Sequence, residues 1–176
     1  MHDANAHPAR SRWVFGYGSL IWKPGFAYLR AQPVRVHGVH RALCIYSIRY
    51  RGTEEQPGIV FGLMHGGSCA GMGFEIAEAN WLEVRAYLRA RELISHVYKE
   101  VYRSMRFADG QSVTAMTFVV DEKHEQFTGR LSVEQQLALV RHASGSAGAN
   151  RDYVLNTVEH LKQMGFADKN LIDLAR

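Results

Sequence analysis

The chain has 176 residues, 47% hydrophobic and 22% charged, a globular balance with length for one sizeable core and too little for two ordinary ones. Its formal net charge of +4 comes from arginines spread along the chain; with no basic block and no RNA-recognition signature, nucleic acid is not an expected partner. No apolar run reaches the length of a bilayer span, and the opening MHDANAHPARSR lacks the apolar centre of a secretory signal, so the expectation is a cytoplasmic protein without a membrane partner.

Residues 1–12 are polar and read as a disordered tail ahead of a single domain over 13–176. From Trp13 the pattern turns β-like: WVFGYGSLI, PVRVHGV, HRALCIYSI, GIVFGLMHG and GMGFEI, separated by Gly, Pro and charged breaks. AEANWLEVRAYLRARELI then carries a helical period. YKEVYRSMRF and SVTAMTFVV follow as two strands about a turn at Ala108-Asp109-Gly110-Gln111. In the last third, Ser132 and Gln135 form a capping box before one helix, and Asn150 is placed to cap DYVLNTVEHLKQM. ASGSAGAN between them is a small-residue loop, and Asp168 is placed to cap a short final helix. Strands first, one helix inserted, then helices: the pattern predicts an α+β fold whose mixed or antiparallel sheet can curl into a barrel.

Cys44 and Cys69 belong to no CxxC pair and read as thiols in a reducing compartment. The nine histidines are scattered, and HExxH does not occur, so neither a metal nor another cofactor is expected.

One carboxylate in the first helix is out of place. At about 100° per residue, Trp81, Val84 and Leu88 share a face, with Leu82 and Tyr87 at its edges. Glu92 lands in the middle of that face, whereas Glu83 points elsewhere. An inward glutamate at a helix C-terminus has its pKa raised by desolvation and by the helix dipole, which suits a proton shuttle near neutral pH. The competing reading is a helix-end residue that turns to solvent or pairs with Arg85 or Arg91.

The stretch VFGYGSLI raises a second question. It is not a dinucleotide fingerprint, since Ile21 stands where the third glycine belongs and Trp22-Lys23-Pro24-Gly25 breaks the chain where a helix should begin. It is not a nucleophile elbow either, because Ser19 has no glycine two residues on. Two readings remain: a strand ending in a tight turn whose bare N–H groups face an anion or a developing oxyanion, or a glycine-rich bulge at a barrel corner.

WVFGYGSLIW resembles the signature of the ChaC-type γ-glutamylcyclotransferases. The resemblance continues through RGTEEQPGIVFGL, GGSCAGMGFEI, YLRARE and SGSAGANRDYV, and so from Trp13 to about Met164. It implies a small mixed β-barrel with flanking helices and a small-molecule substrate, glutathione, cleaved to 5-oxoproline and cysteinylglycine. It also implies that the loop of Tyr17, Gly18, Ser19 and Leu20 binds the γ-glutamyl group, so the candidate binding segment runs from Gly16 to Ile21. The catalytic acid/base would be the glutamate of the Arg91-Glu92 pair, the one that the helical period places inward. Arg49 or Arg51 could meet a substrate carboxylate, or lie exposed on a strand. Tyr153 could reach the site with its hydroxyl, or belong to the core. The chain departs from the pattern in its polar N-terminal tail and in Leu-Ile-Ser-His-Val-Tyr after Glu92, where some members have a glycine-containing step. Two alternatives stand beside glutathione cleavage: cyclotransfer on another γ-glutamyl amine, and a γ-glutamyl-binding module without turnover.

Overall fold

Two of the glycine breaks in the first half of the sequence, at Gly38 and at Gly66-Gly67, do not end strands. In the computed structural model, which describes residues 12–166, 168, 171 and 174, PVRVHGV and HRALCIYSI are two stretches of one strand, β2 (Arg30–Ser47). GIVFGLMHG and GMGFEI are likewise two stretches of β3 (Gly58–Glu75). These strands pair antiparallel, with register shifts between His37 and Val39 and between Leu43 and Ile45. At the first shift Gly38, Gly66 and Gly67 adopt φ of +86°, +95° and +73°, a region that side chains with a Cβ resist. The glycines there mark a bulge that bends a long hairpin.

β1 (Trp13–Gly16) pairs antiparallel with β3. β4 (Tyr98–Arg106) and β5 (Ser112–Val120) form the predicted hairpin. β4 meets β2 at Arg35 and Val36, and β5 runs parallel to β1 through Trp13 and Val14. The order β1-β3-β2-β4-β5 therefore closes into a barrel, the mixed α+β architecture that the pattern predicts.

A 3-10 turn at Glu78–Asn80 leads into α1 (Trp81–Glu92) between β3 and β4. Val84 and Leu88 are buried against Val14, Phe74, Ile76 and Met116, as their spacing requires. Leu82 stays 76% exposed. The helix stops at Glu92, before the predicted Leu93-Ile94; the Leu93 N–H still bonds Arg89 O at 2.9 Å, and His96 turns the chain with φ of +59°.

α2 (Val133–His142) begins with the predicted capping box of Ser132 and Gln135. The small-residue loop after it contains a tight hairpin, β6 (Ser144–Gly145) with β7 (Gly148–Ala149). This hairpin is fastened to the loop after β2 by Ser146 N–H to Arg49 O and Ala147 N–H to Tyr50 O, both at 2.9 Å. α3 (Asn150–Gln163) follows, but its N-cap is Ala149. Asn150 is fully buried one position on, where its carboxamide accepts from Ile59 N–H and donates to Ile59 O, each at 2.8 Å. A buried peptide on β3 wins the side chain over the helix end because leaving both its polar groups unpaired costs more than an unfilled cap. Asp168 accepts from Leu171 N–H through its carbonyl at 3.1 Å and its carboxylate at 3.4 Å, the pattern of the predicted cap. The rest of that short helix, and residues 1–11 of the polar tail, lie outside the described residues. Among the described residues no helix is long and apolar enough to cross a membrane.

Replacing Asn150 with Ala orphans the N–H and C=O of Ile59 together. Denaturant unfolding should show a loss of about 2–4 kcal/mol, well above what a lost helix cap removes.

Candidate active site

β1 ends at Gly16, and the chain turns through Tyr17 and Gly18 into a 3-10 turn, Ser19–Ile21. The turn is closed by Ile21 N–H to Gly18 O at 3.0 Å and Lys23 N–H to Ser19 O at 2.8 Å. Close approach explains its glycines. A Cβ on Gly16 would lie 2.9 Å from Leu20 Cβ, and one on Gly18 would lie 3.1 Å from Tyr153 Oη. Gly18 is buried, yet among the described residues neither its N–H nor that of Ser19 finds an acceptor.

Gly18 and Ser19 border a small cleft of about 40 Å³, where one water needs about 10–15 Å³. Phe15, Leu20, Phe61 and Phe118 make its apolar walls, and Tyr17, Gly18, Ser19, Glu92, Tyr98 and Tyr153 supply its polar groups. Six of the nine sequence candidates thus converge: Tyr17, Gly18, Ser19, Leu20, Glu92 and Tyr153. Gly16 lies just behind the turn. Ile21 packs into the main core cluster and does not line the cleft. Arg49 is not brought there: its side chain is exposed, and it is its carbonyl that is used, on Ser146. Arg51 comes nearer, with its guanidinium 5.4 Å from the centre of the Tyr153 ring and 3.2 Å from Ala149 O.

Glu92 projects into the cleft from the last position of α1. Although 18% of its side-chain surface reaches solvent, protein surrounds the carboxyl. Desolvation raises its pKa, and the Arg91 charge, with Nε 3.4 Å from Oε1, opposes that rise. Arg91 is more than a counter-ion. Its Nη1 donates to Lys23 O at 2.8 Å and Pro24 O at 3.2 Å, and its Nη2 donates to Ser19 Oγ at 2.8 Å. One guanidinium therefore ties the end of α1 to the glycine turn.

Two tyrosines missed by sequence reasoning or left ambiguous by it share the peptide groups of Phe61. Tyr98 Oη donates to Phe61 O at 2.9 Å, and Tyr153 Oη accepts from Phe61 N–H at 3.2 Å. The consequences differ. Tyr98 has spent its proton and keeps lone pairs for the cleft, whereas Tyr153 keeps its proton to donate. Ser19, already accepting from Arg91, is likewise left as a donor. Burial, with the Glu92 charge adding to it, pushes the Tyr17 and Tyr153 hydroxyls upward, and burial raises Tyr98 as well; all three stay protonated at neutral pH. The donors thus sit on the turn and Tyr153, and the acceptors on Glu92 and Tyr98. An amino-acid head, with one anionic and one cationic group, matches that division.

The raised pKa has a consequence for stability. The folded protein holds the Glu92 proton to higher pH than the unfolded chain does, so stability falls as pH rises from about 4.3 through the raised value. Glu92→Gln removes the desolvated charge and leaves Arg91 its other acceptors. In thermal unfolding across pH it should melt at or above the wild type at neutral pH, with the difference shrinking toward pH 4.

The model of the ChaC-like protein family matches residues 12–176. A glutathione-specific γ-glutamylcyclotransferase of Escherichia coli is 31% identical over 162 residues, which is 92% of this chain and 70% of that protein. γ-Glutamylcyclotransferase 2-3 of Arabidopsis thaliana is 32% identical over 93% of this chain and 86% of its own length. Among solved structures, a γ-glutamyl cyclotransferase specific to glutathione from yeast superposes with a TM-score of 0.84 at 22% identity, covering 93% of both chains, which extends the likeness to the fold. A family model spanning the described barrel and helices leaves one conclusion: the chain belongs to the ChaC-like family.

Proposed function

We propose that this protein is a γ-glutamylcyclotransferase that cleaves glutathione to 5-oxoproline and cysteinylglycine. The observation that carries the reading is the desolvated carboxyl of Glu92 lining one small cleft together with Gly18 and Ser19, whose backbone N–H groups find no acceptor among the described residues. The E. coli and yeast relatives are named for glutathione, and that choice of substrate comes from them.

The reaction is intramolecular and consumes only its substrate. Glu92 as carboxylate takes a proton from the α-ammonium, whose nitrogen then attacks the γ-carbonyl carbon and closes a five-membered ring. The carbonyl oxygen gains negative charge and is met by the N–H groups of Gly18 and Ser19, donors fixed before the reaction begins. When the carbon–nitrogen bond to cysteine breaks, protonated Glu92 returns its proton to the leaving amine. One carboxyl serves both steps because its raised pKa lies nearer to neutral pH than that of an ordinary glutamate. Tyr98, with lone pairs free, receives the ammonium, and Tyr153, whose hydroxyl lies close to Gly18, donates to the substrate. The apolar walls hold the flexible γ-glutamyl chain curled, which lowers the entropic barrier to ring closure. Arg51, beside Tyr153, takes the place of Arg49 as the cation for the far carboxylate. Cys44 and Cys69 are buried and unpaired, in keeping with work in the reducing cytoplasm.

Pure protein incubated with glutathione, oxidised glutathione and γ-glutamylalanine, with 5-oxoproline quantified, tests the substrate. Product from glutathone's reduced form is expected; product from γ-glutamylalanine alone would move the assignment to another γ-glutamyl amine, and none from any would leave a binding module. Glu92→Gln should retain ligand binding while turnover drops by about a thousandfold or more, the scale of a lost acid/base group. Because Glu92 must begin ionised, kcat/KM should rise with pH through its raised pKa; a profile flat from pH 4 to neutrality would refute the base role.

A further inference from the structure

The barrel holds a buried cation that the chemistry above does not use. Arg41 lies on β2 with only 3% of its side chain exposed. Its Nε donates to Tyr17 O at 2.6 Å, its Nη2 to Ala70 O on β3, and its Nη1 to Asp168 at 3.3 Å. We propose that Arg41 is a positioning residue: by gripping the Tyr17 carbonyl it sets the Tyr17–Gly18 peptide so that the Gly18 N–H faces the cleft as an oxyanion donor. The inference rests on the cyclotransferase reading of that turn.

Peptide geometry links the two ends. In a trans peptide the carbonyl and the following N–H point in opposite directions. With Tyr17 O turned to Arg41, the Gly18 N–H is turned away from it. Gly18 is buried, lines the cleft and has no acceptor for that N–H among the described residues. Reversing the peptide would aim a carbonyl at the developing negative charge and leave the guanidinium facing an N–H. A buried cation makes that reversal costly.

Stability alone does not account for an arginine here. Burying a guanidinium costs several kcal/mol in lost hydration, and well-packed apolar residues often replace buried ion pairs with no loss of stability. Asp168, its one acidic partner among the described residues, is itself 24% exposed. The other two acceptors are backbone carbonyls on the catalytic turn and on β3. What an aliphatic residue could not supply is the hold on Tyr17 O, a charge-assisted bond of roughly twice the strength of a neutral one.

The test compares Arg41→Met, Arg41→Lys and Asp168→Asn. Each is checked for fold by circular dichroism and for the Gly18 amide resonance by NMR, and assayed for 5-oxoproline release. Arg41→Met should lower kcat by roughly a hundredfold or more, the scale of a lost oxyanion donor, with a much smaller change in KM and a displaced Gly18 amide. Asp168→Asn leaves the Tyr17 bond in place and should keep kcat and the Gly18 amide close to wild type. If Arg41→Met does not fold, Arg41→Lys decides: it keeps the charge but reaches fewer of the three acceptors, and should show the same displacement and a partial loss of kcat. A folded Arg41 variant with unchanged kcat and an unmoved Gly18 amide overturns the proposal, as does an Asp168→Asn loss equal to that of Arg41→Met. Should the wild type release no 5-oxoproline, the reaction reading fails, while the Gly18 amide still reports whether Arg41 places that peptide.

Discussion

The carboxyl of Glu92 occupies a position that opposes its own charge. It stands at the C-terminal end of α1, where the helix dipole is negative, in a cleft with largely aromatic walls. Arg91 limits the cost without abolishing it. A bidentate pair would pull the acid below the ordinary carboxylate range, but the contact here is one Nε at 3.4 Å, and the other nitrogens of that guanidinium are spent on Ser19, Lys23 and Pro24. Desolvation therefore outweighs the Arg91 charge and the carboxyl pKa stays raised, because its partner is occupied elsewhere. That division of one guanidinium between a carboxyl and a loop ties the end of α1 to the glycine turn.

A barrel of this kind leaves part of β3 without a strand on its outer edge, since β1 stops at Gly16 opposite Met72. Phe61 lies on that stretch, and its polar groups must be satisfied by other means. Tyr98 and Tyr153 do so from different elements, one from β4 and one from α3. Satisfying a structural need thereby assigns each hydroxyl a direction. The cleft inherits an acceptor side and a donor side from the hydrogen-bonding of the fold, and no mobile proton has to choose between them.

Periodicity reveals some of this and conceals the rest. The inward placement of Glu92 is readable because Trp81, Val84 and Leu88 define a face that a glutamate then interrupts. The turn is readable because Gly-Tyr-Gly-Ser has no use in an ordinary strand. The bulges are not, since a glycine that bends a strand and one that ends it look alike before the partner strand is known. Asn150 misleads for a related reason: its fitness as a cap is local, while the buried Ile59 peptide that claims it is ninety-one positions away. Arg49 and Arg51 are two residues apart, and only the packing of β6 and β7 decides which approaches Tyr153. Arg41 does leave a trace: in a strand that alternates, it shares the inward face of Val39 and Leu43, where a charge calls for a buried partner.

Arg41 and Arg91 hold the same short turn from two sides. Arg91 fixes its exit, Ser19 to Pro24, to the helix that carries the acid. Arg41 fixes its entrance, the Tyr17 carbonyl, to the barrel wall. A glycine-rich segment has more backbone freedom to lose than any other, and a donor displaced by even an ångström gives up much of its effect on a developing charge. Glycine is required there for close approach, so rigidity has to come from outside the turn. Guanidinium groups suit that task, because each can bind several carbonyls in a fixed plane. The turn is thus permissive in sequence and constrained in structure, and two arginines reconcile the two.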